Sequence, residues 1–181
     1  DDERCLRIIM KLSEYGVFQT PTLTINTFDS RRFYADPKWR ETYQELPEAA
    51  EKDWMQGSLK LADIDVTENA KKFDAWSLSL VNKMHQEGVK IIAGTDTPIG
   101  YLTPGYSLHK ELELLSEAGL SNMDVLRSAT ITPAEFFGME SQMGTIEVGK
   151  LADLVILDKN PLTSISNTQS IHSVIVKGRI Q

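Results

Sequence analysis

The run VKIIAGTD, residues 89–96, constrains the fold of this chain more than any other segment. It follows a helical pattern that stops at Gly88, and its apolar residues are typical of a strand buried on both faces in a parallel α/β sheet. The strand breaks at Ala93–Gly94 and ends in a carboxylate, Asp96. Active sites of parallel α/β folds gather beyond the carboxyl ends of the strands. We therefore predict an α/β fold with Asp96 in a site-forming loop that continues to Ser107.

Composition limits the classes of function. The 181 residues are 41% apolar and 25% charged, which suits a globular domain with a core. A net charge of -7 and a pI of about 5.0 argue against nucleic acid or an anionic membrane as partner, because both need clustered Lys and Arg. Cys5 is the single cysteine, so neither an internal disulfide nor a thiolate zinc site is expected. We expect a soluble protein whose natural amino terminus lies upstream of Asp1, and the sequence indicates no compartment.

Helix and strand patterns alternate along the first part of the chain. The predicted elements are a helix over 2–15, a strand over 17–24, a helix that begins with a capping-box-like Asp65 and Glu68, and the strand over 89–94. An insertion near 25–65 has weak periodicity, scattered aromatic residues and a partly helical stretch after Pro47. Two interpretations of it stay open. It covers a cleft, or its aromatic residues anchor a long connection to the core.

Capped helices and then short strands follow the Asp96 loop. One predicted helix carries Leu108, Leu112, Leu115 and Ala118 on one face, and Ser121 caps the next. A third helix is predicted to be capped by Thr132, with Pro133 at its first position. After Gly144 the pattern changes to strands over 145–147, 152–157 and 173–180, which predicts a small β appendage joined by a surface connection over 158–169.

Five motifs in register resemble the carboxy-terminal part of the amidohydrolase superfamily, and in particular its imidazolonepropionase-like and prolidase-like members. They are IIAGTDT, GYSLHKELELLSEAGLS, VLRSATITPAEFFGM, MGTIEVGKLADLVILDKNPL and IHSVIVKGRI. The resemblance covers residues 85–181 and, more loosely, the strand GVFQTPTLT. It implies a metal-dependent hydrolase with a (β/α)8 barrel and an added β-sandwich. Residues 1–140 would then hold about the last two barrel strands with their helices, and 141–181 the last strands of the β-sandwich.

The resemblance also implies a role for Asp96. This residue matches the aspartate at the end of the eighth barrel strand, which in the family ligates the metal, takes a proton from the metal-bound water and passes it to the leaving nitrogen. A carboxylate within hydrogen-bond reach of such a water can act as general base. From position alone, a residue that only caps or turns the loop is an equally good interpretation of Asp96. The family match moves the prediction to the catalytic side.

Other candidate site residues lie in and after the loop. Thr97, Pro98 and His109 are candidates for shaping the substrate pocket, although helix capping or loop anchoring is the interpretation we favour for His109. The family's site also needs a His-x-His pair, a bridging carboxylated lysine or glutamate and two single histidines. The histidines of this chain are His85, His109 and His172, and no two of them have the spacing of a local metal clip.

The resemblance therefore implies that the chain is the carboxy-terminal piece of a longer enzyme. The first hypothesis is a hydrolase of amide or cyclic-amide C–N bonds that acts on a small-molecule or dipeptide-like substrate. Its divalent metal, with zinc as the expected identity, would be held by the longer protein and not tightly by this chain. The second hypothesis is a non-catalytic fragment or degenerate homologue that acts as a folding or assembly module. In both cases incompletely paired strands favour self-association into a dimer or larger assembly.

Overall fold

A computed structural model describes residues 2–181 as a mixed α/β structure. The α-helices of this range are α1 (Asp2–Glu14), α2 (Leu23–Asn26), α3 (Phe28–Arg31), α4 (Pro37–Glu41), α5 (Glu48–Ala62), α6 (Glu68–Gln86), α7 (Tyr106–Glu117), α8 (Asn122–Ser128) and α9 (Ile131–Phe136). Its strands are β1 (Phe18–Gln19), β2 (Lys90–Ile91), β3 (Leu154–Leu157), β4 (Ile171–Val176) and β5 (Arg179–Ile180). Short 3-10 turns lie at Phe33–Ala35, Thr42–Glu45, Ile99–Tyr101 and Ile165–Gln169. Among the described helices, none has both the length and the apolar character needed to cross a lipid bilayer.

The main apolar core lies between the parallel pair β1–β2 and the helices around it. Apolar side chains of α1, α6, α7 and α8 meet there, including Ile9, Val81, Leu115 and Val125, each 2% exposed or less. The strand residue Ile91 joins the same core. Burial of each such side chain contributes about 1.5–3 kcal/mol relative to leaving it in water. The core therefore holds β2, and through its pairing with β2 also β1, against these helices.

A second, aromatic cluster is formed mainly by residues of the insertion near 25–65, among them Tyr34, Trp39, Tyr43 and Trp54. Tyr101 reaches this cluster from the loop that follows β2. Its ring centroid is 5.8 Å from that of Trp54 and 6.1 Å from that of Tyr34. The indole Nε1 of Trp39 donates a hydrogen bond of 3.0 Å to the Tyr101 carbonyl. The aromatic cluster thereby fixes the loop after β2 to the insertion.

A charged contact fixes the insertion to the helices on its other side. Arg31, at the end of α3, donates from Nε to Asp74 of α6 at 2.6 Å and from Nη2 to Glu117 of α7 at 2.7 Å. Hydrogen bonds to these two carboxylates, Asp74 first, raise the pKa of Arg31 above its usual range, so the guanidinium stays charged. One side chain thus joins α3, α6 and α7.

Residues after Gly144 contribute a small antiparallel sheet in the order β3–β4–β5. The hairpin between β4 and β5 turns at Lys177–Gly178, and both residues have positive φ, 50° and 75°. Two consecutive positive φ angles are the signature of the type I′ hairpin turn. The Lys177 amide also donates to Asp153 Oδ1 at 2.6 Å. The expected break at this dipeptide is therefore a tight turn between two strands.

Several predicted strands differ from the structure. The strand expected over 89–94 is only Lys90–Ile91, and it is not buried on both faces because Lys90 is exposed. The strand expected over 17–24 is only Phe18–Gln19, because Pro21 lacks an amide donor and the chain enters α2 at Leu23. The segment 145–147 forms no strand, and its residue Ile146 is 87% exposed. A segment becomes a β-strand only when a neighbouring strand pairs with it, and no described strand pairs with 145–147.

Two predicted helix caps were also wrong. Helix α6 is capped by Thr67, whose hydroxyl accepts from the Ala70 amide at 3.1 Å, and not by Asp65. Helix α9 already begins at Ile131, so Thr132 lies inside it and is not its cap. The cap predicted at Ser121 is confirmed, since its hydroxyl accepts from the Asp124 amide at 3.1 Å.

The caps yield a paired prediction. Ser121→Ala should lower the free energy of unfolding by about 1 kcal/mol, because the Asp124 amide loses its acceptor. Thr132→Ala should change it by less than about 0.5 kcal/mol, since the Thr132 hydroxyl has no hydrogen bond within the described range. Chemical denaturation of both variants measures the difference. A larger loss for Thr132→Ala would contradict this assignment of the caps.

A second prediction concerns the contact between α5 and Tyr101. Replacing a glycine inside a helix with alanine ordinarily raises the free energy of unfolding by about 1 kcal/mol. At Gly57 the added Cβ would lie 2.2 Å from the Tyr101 hydroxyl oxygen and 2.8 Å from Cζ. We expect Gly57→Ala to lose about 1–3 kcal/mol instead, because the packed ring has to move. Tyr101→Phe in the same background should recover part of the loss, and a higher melting temperature for Gly57→Ala alone would contradict this packing.

Candidate active site

The carboxyl ends of β1 and β2 lie side by side. The two strands pair in parallel, with Gln19 opposite Ile91, and the Ile92 amide extends the ladder by donating to the Gln19 carbonyl at 2.8 Å. Just beyond, a Cβ on Gly94 would lie 2.6 Å from Cγ2 of Thr20. Only glycine permits this approach of the two exits. The predicted break at Ala93–Gly94 is therefore the point where the two strand ends touch.

Asp96 lies at this edge with its carboxylate exposed to solvent. Its backbone is left-handed, with a φ of 56°, a conformation that Asp adopts more readily than most residues. The carbonyl of Asp96 accepts from the Ile99 amide at 3.2 Å. Within residues 2–181 no hydrogen bond or ion pair engages its carboxylate. The side chain is therefore free to bind a ligand or accept a proton.

The loop after Asp96 is held by internal contacts. The Thr97 hydroxyl donates to the Leu102 carbonyl, and Leu102 is 1% exposed. The hydroxyls of Thr103 and Thr42 lie 2.6 Å apart, which fixes the loop to the insertion. Thr97 thus uses its hydroxyl within the loop, whereas Pro98 next to it is exposed.

His109 has its partner outside this loop. It lies in the first half of α7, and its Nδ1 is 2.9 Å from the hydroxyl oxygen of Thr168, in the 3-10 turn before β4. Burial lowers the pKa of His109, and the nearby Glu113 opposes that shift. A half-buried histidine of this kind is neutral at pH 7 and suits the anchoring role favoured from the sequence.

The other two histidines lie apart from Asp96 as well. Nε2 of His85 is 3.7 Å from Oδ2 of Asp124, and Nδ1 of His172 is 3.0 Å from Oδ1 of Asp158. Within residues 2–181 there is no group of three His, Cys, Asp or Glu side chains that could hold a metal ion. Catalytic zinc sites take three protein ligands or more. The described residues therefore supply one candidate ligand, Asp96, and do not form a complete metal site.

A buried carboxylate next to this edge was missed from the sequence. Glu111 on α7 is completely buried, and its two oxygens accept hydrogen bonds from the Leu23 amide at 2.9 Å, the Thr24 amide at 2.7 Å and the Thr24 hydroxyl at 2.6 Å. Burial raises the pKa of Glu111, and the hydrogen bonds from Thr24 and Leu23 oppose that shift. Nothing in the run ELE separates Glu111 from Glu113, which is half-buried and bonds to Lys110.

Comparison with curated proteins finds relatives that share part of this chain. One is 5'-deoxyadenosine deaminase of Methanobrevibacter smithii, 36% identical over 70 residues, which are 39% of this chain and 16% of that protein. Another is imidazolonepropionase of Symbiobacterium thermophilum, 38% identical over 76 residues, which are 41% of this chain and 18% of that protein. The matched segments thus span less than a fifth of either relative.

Solved structures include a similar fold. A Xaa-Pro dipeptidase with methionine bound in its active site superposes with a TM-score of 0.66 and 26% identity, covering 95% of this chain and 36% of that one. Nearly all of this chain therefore has a counterpart in about a third of that larger structure. The imidazolonepropionase-like and prolidase-like resemblance is confirmed by these relatives.

A model of the amidohydrolase family matches residues 78–181, which include β2, Asp96, α7 and the β3–β4–β5 sheet. This match covers more than half of the 181 residues. The chain belongs to the amidohydrolase family.

Proposed function

We propose that the chain is the carboxy-terminal part of a metal-dependent hydrolase that cleaves amide or cyclic-amide C–N bonds, with Asp96 as the general base. The observation that carries this proposal is the free, exposed carboxylate of Asp96 at the shared carboxyl edge of β1 and β2. Membership of the amidohydrolase family supports the reaction class. A (β/α)8 barrel of which β1 and β2 are the last two strands would explain their parallel pairing and the position of the site.

The chemistry proposed for Asp96 follows from its own geometry. An unpartnered carboxylate can take the proton that an attacking water releases, and can return that proton to the leaving nitrogen when the C–N bond breaks. Its exposed position leaves room for both substrate and water. The left-handed backbone at Asp96 and the internally bonded loop behind it would hold the carboxylate in one orientation. Thr97 and Pro98 would then form the nearby wall of the substrate site.

This chain would supply only a small part of the metal site. A divalent ion, with zinc as the expected identity, would lower the pKa of its water to about 7. Asp96 is the side chain of this chain that we propose as its ligand, and further ligands would have to come from other parts of the protein. Small-molecule or dipeptide-like substrates are proposed from the names of the relatives, imidazolonepropionase and Xaa-Pro dipeptidase.

The second candidate function is a non-catalytic module that supports only folding or assembly. The observation that favours it is the lack of a three-ligand group among residues 2–181. The two candidates differ in the behaviour of the longer protein. A degenerate homologue would neither retain a tightly bound divalent metal nor hydrolyse amides, whereas the proposed hydrolase would do both.

Substitution of Asp96 tests the proposed base. In the longer protein, Asp96→Asn should keep the fold and lower kcat by at least about a hundredfold, because the amide cannot take up a proton. The matched control is Asp65→Asn, which changes another exposed aspartate that caps no helix. Steady-state kinetics and a melting curve on both variants decide the question. Full activity of Asp96→Asn would remove Asp96 from the mechanism.

On its own, the 181-residue chain should have no hydrolase activity and should associate with further copies of itself. It exposes large apolar side chains, among them Ile146 (87%), Val148 (107%), Ile180 (73%) and Phe137 (71%). Side chains of this kind are expected to be covered by self-association or by an element of another chain. Light scattering of the 181-residue chain should therefore report a dimer or larger assembly, and a metal assay should find weak binding. A compact monomer with stoichiometric, tight zinc would contradict both parts.

A further inference from the structure

We propose that Glu111 is a positioning residue, which holds the exit of β1 and the Asp96 turn in one fixed arrangement. The proposal rests on the function proposed for Asp96, because it assigns Glu111 an effect on the same site. Glu111 itself is completely buried, so we assign it no direct contact with the substrate. Its effect would pass through the backbone that it binds.

The first step of the argument is that Glu111 takes the place of a missing helix cap. The first amides of a helix have no partner within the helix and need an acceptor. Helix α2 begins after Thr22, whose backbone is left-handed with a φ of 47° and whose side chain forms no cap bond. The two oxygens of Glu111 accept from the amides of Leu23 and Thr24 instead.

The second step concerns the cost of this arrangement. Burying a carboxylate lowers the stability of the folded state unless the carboxylate is paired with a cation or well hydrogen-bonded. Within residues 2–181, Glu111 forms no ion pair, so the three hydrogen bonds from Leu23 and Thr24 are what offset the cost. These bonds are lost if the segment shifts by about an ångström, since hydrogen bonds weaken steeply with distance and angle. The hydrogen bonds to Glu111 therefore hold residues 23–24 in a single position relative to α7.

The third step connects that segment to Asp96. Ser107 lies one turn before Glu111 on α7, is also completely buried, and its hydroxyl is 3.4 Å from that of Thr95. On the other side, Thr20 directly contacts Gly94. One face of α7 therefore lies against both strand exits, just before Asp96 and just after β1. If the exit of β1 were displaced, Thr20 would press against Gly94. The Asp96 turn, which follows Gly94 directly, would then move as well.

The test uses Glu111→Gln in the longer protein. Glutamine keeps the volume but presents an NH2 group to donors, so at least one of the three bonds is lost. The matched control is Glu113→Gln, two residues further along α7, where the side chain bonds to Lys110 and Gln169. A milder variant, Thr24→Val, removes the hydroxyl donor and keeps both amide donors. Hydrogen exchange by mass spectrometry and steady-state kinetics are measured on all three.

For Glu111→Gln we expect faster exchange in both peptides 18–27 and 92–104, unchanged exchange in 171–180, and kcat reduced about tenfold or more with KM within about twofold. Thr24→Val should change the same quantities less, and Glu113→Gln should change none of them. Unchanged exchange in 92–104, or a kcat equal to that of Glu113→Gln, would overturn the positioning role. If Glu111→Gln does not fold, the same two criteria applied to Thr24→Val decide.

The two proposals can fail separately. A wild-type protein without any amide hydrolysis would remove the function proposed for Asp96. The exchange of peptide 92–104 would still decide whether Glu111 holds the Asp96 turn, because that measurement needs no substrate. An active wild type with an unaffected Glu111→Gln would instead overturn only the role of Glu111.

Discussion

The contact between the Glu111 carboxylate and the amides of Leu23 and Thr24 is the interaction on which the arrangement of the site depends. It joins α7, which follows the Asp96 loop, to α2, which follows β1. The parallel pair β1–β2 is short, with two residues paired in each strand, so backbone hydrogen bonds alone fix its ends weakly. Polar contacts in a water-free environment are directional and strong. They supply the precision that such a short ladder cannot.

The insertion near 25–65 adds a second constraint on the same loop. Tyr101 lies in the aromatic cluster, its carbonyl accepts from Trp39, and its ring lies over Gly57. Aromatic side chains bury a large area with few rotatable bonds, so they hold a loop at a modest cost in entropy. These contacts hold the loop after β2 to the aromatic cluster of the insertion, which is separate from the main core, and anchoring of the insertion to that core stays a prediction. Covering of a cleft stays a prediction for the longer protein.

Several features could be predicted from local sequence because local physics decides them. The existence of a parallel strand within 89–94, observed at Lys90–Ile91, and of the helix Asp2–Glu14 follows from apolar spacing. The Ser121 cap follows from a hydroxyl placed next to free amides. The caps at Asp65 and Thr132 were wrong because several Ser, Thr and Asp residues stand close together near those helix starts. Which of them becomes the cap depends on how the helix packs. The strand expected at 145–147 failed for a related reason, because a strand needs a partner that local sequence does not specify.

The sequence by itself determined the family, the reaction class that the family suggests, and the place of Asp96 just after a parallel strand. Motif order and apolar periodicity can determine these features because both are properties of the chain read in one dimension. Tertiary structure alone decided which carboxylates matter around that place. Glu111 and Glu113 are two residues apart in the same run, yet one is completely buried against α2 and the other is half-buried and bonds to Lys110. The difference arises because α7 turns Glu111 toward amides that are 87 and 88 positions away in sequence. Contacts over such separations follow from packing, and no local pattern encodes them.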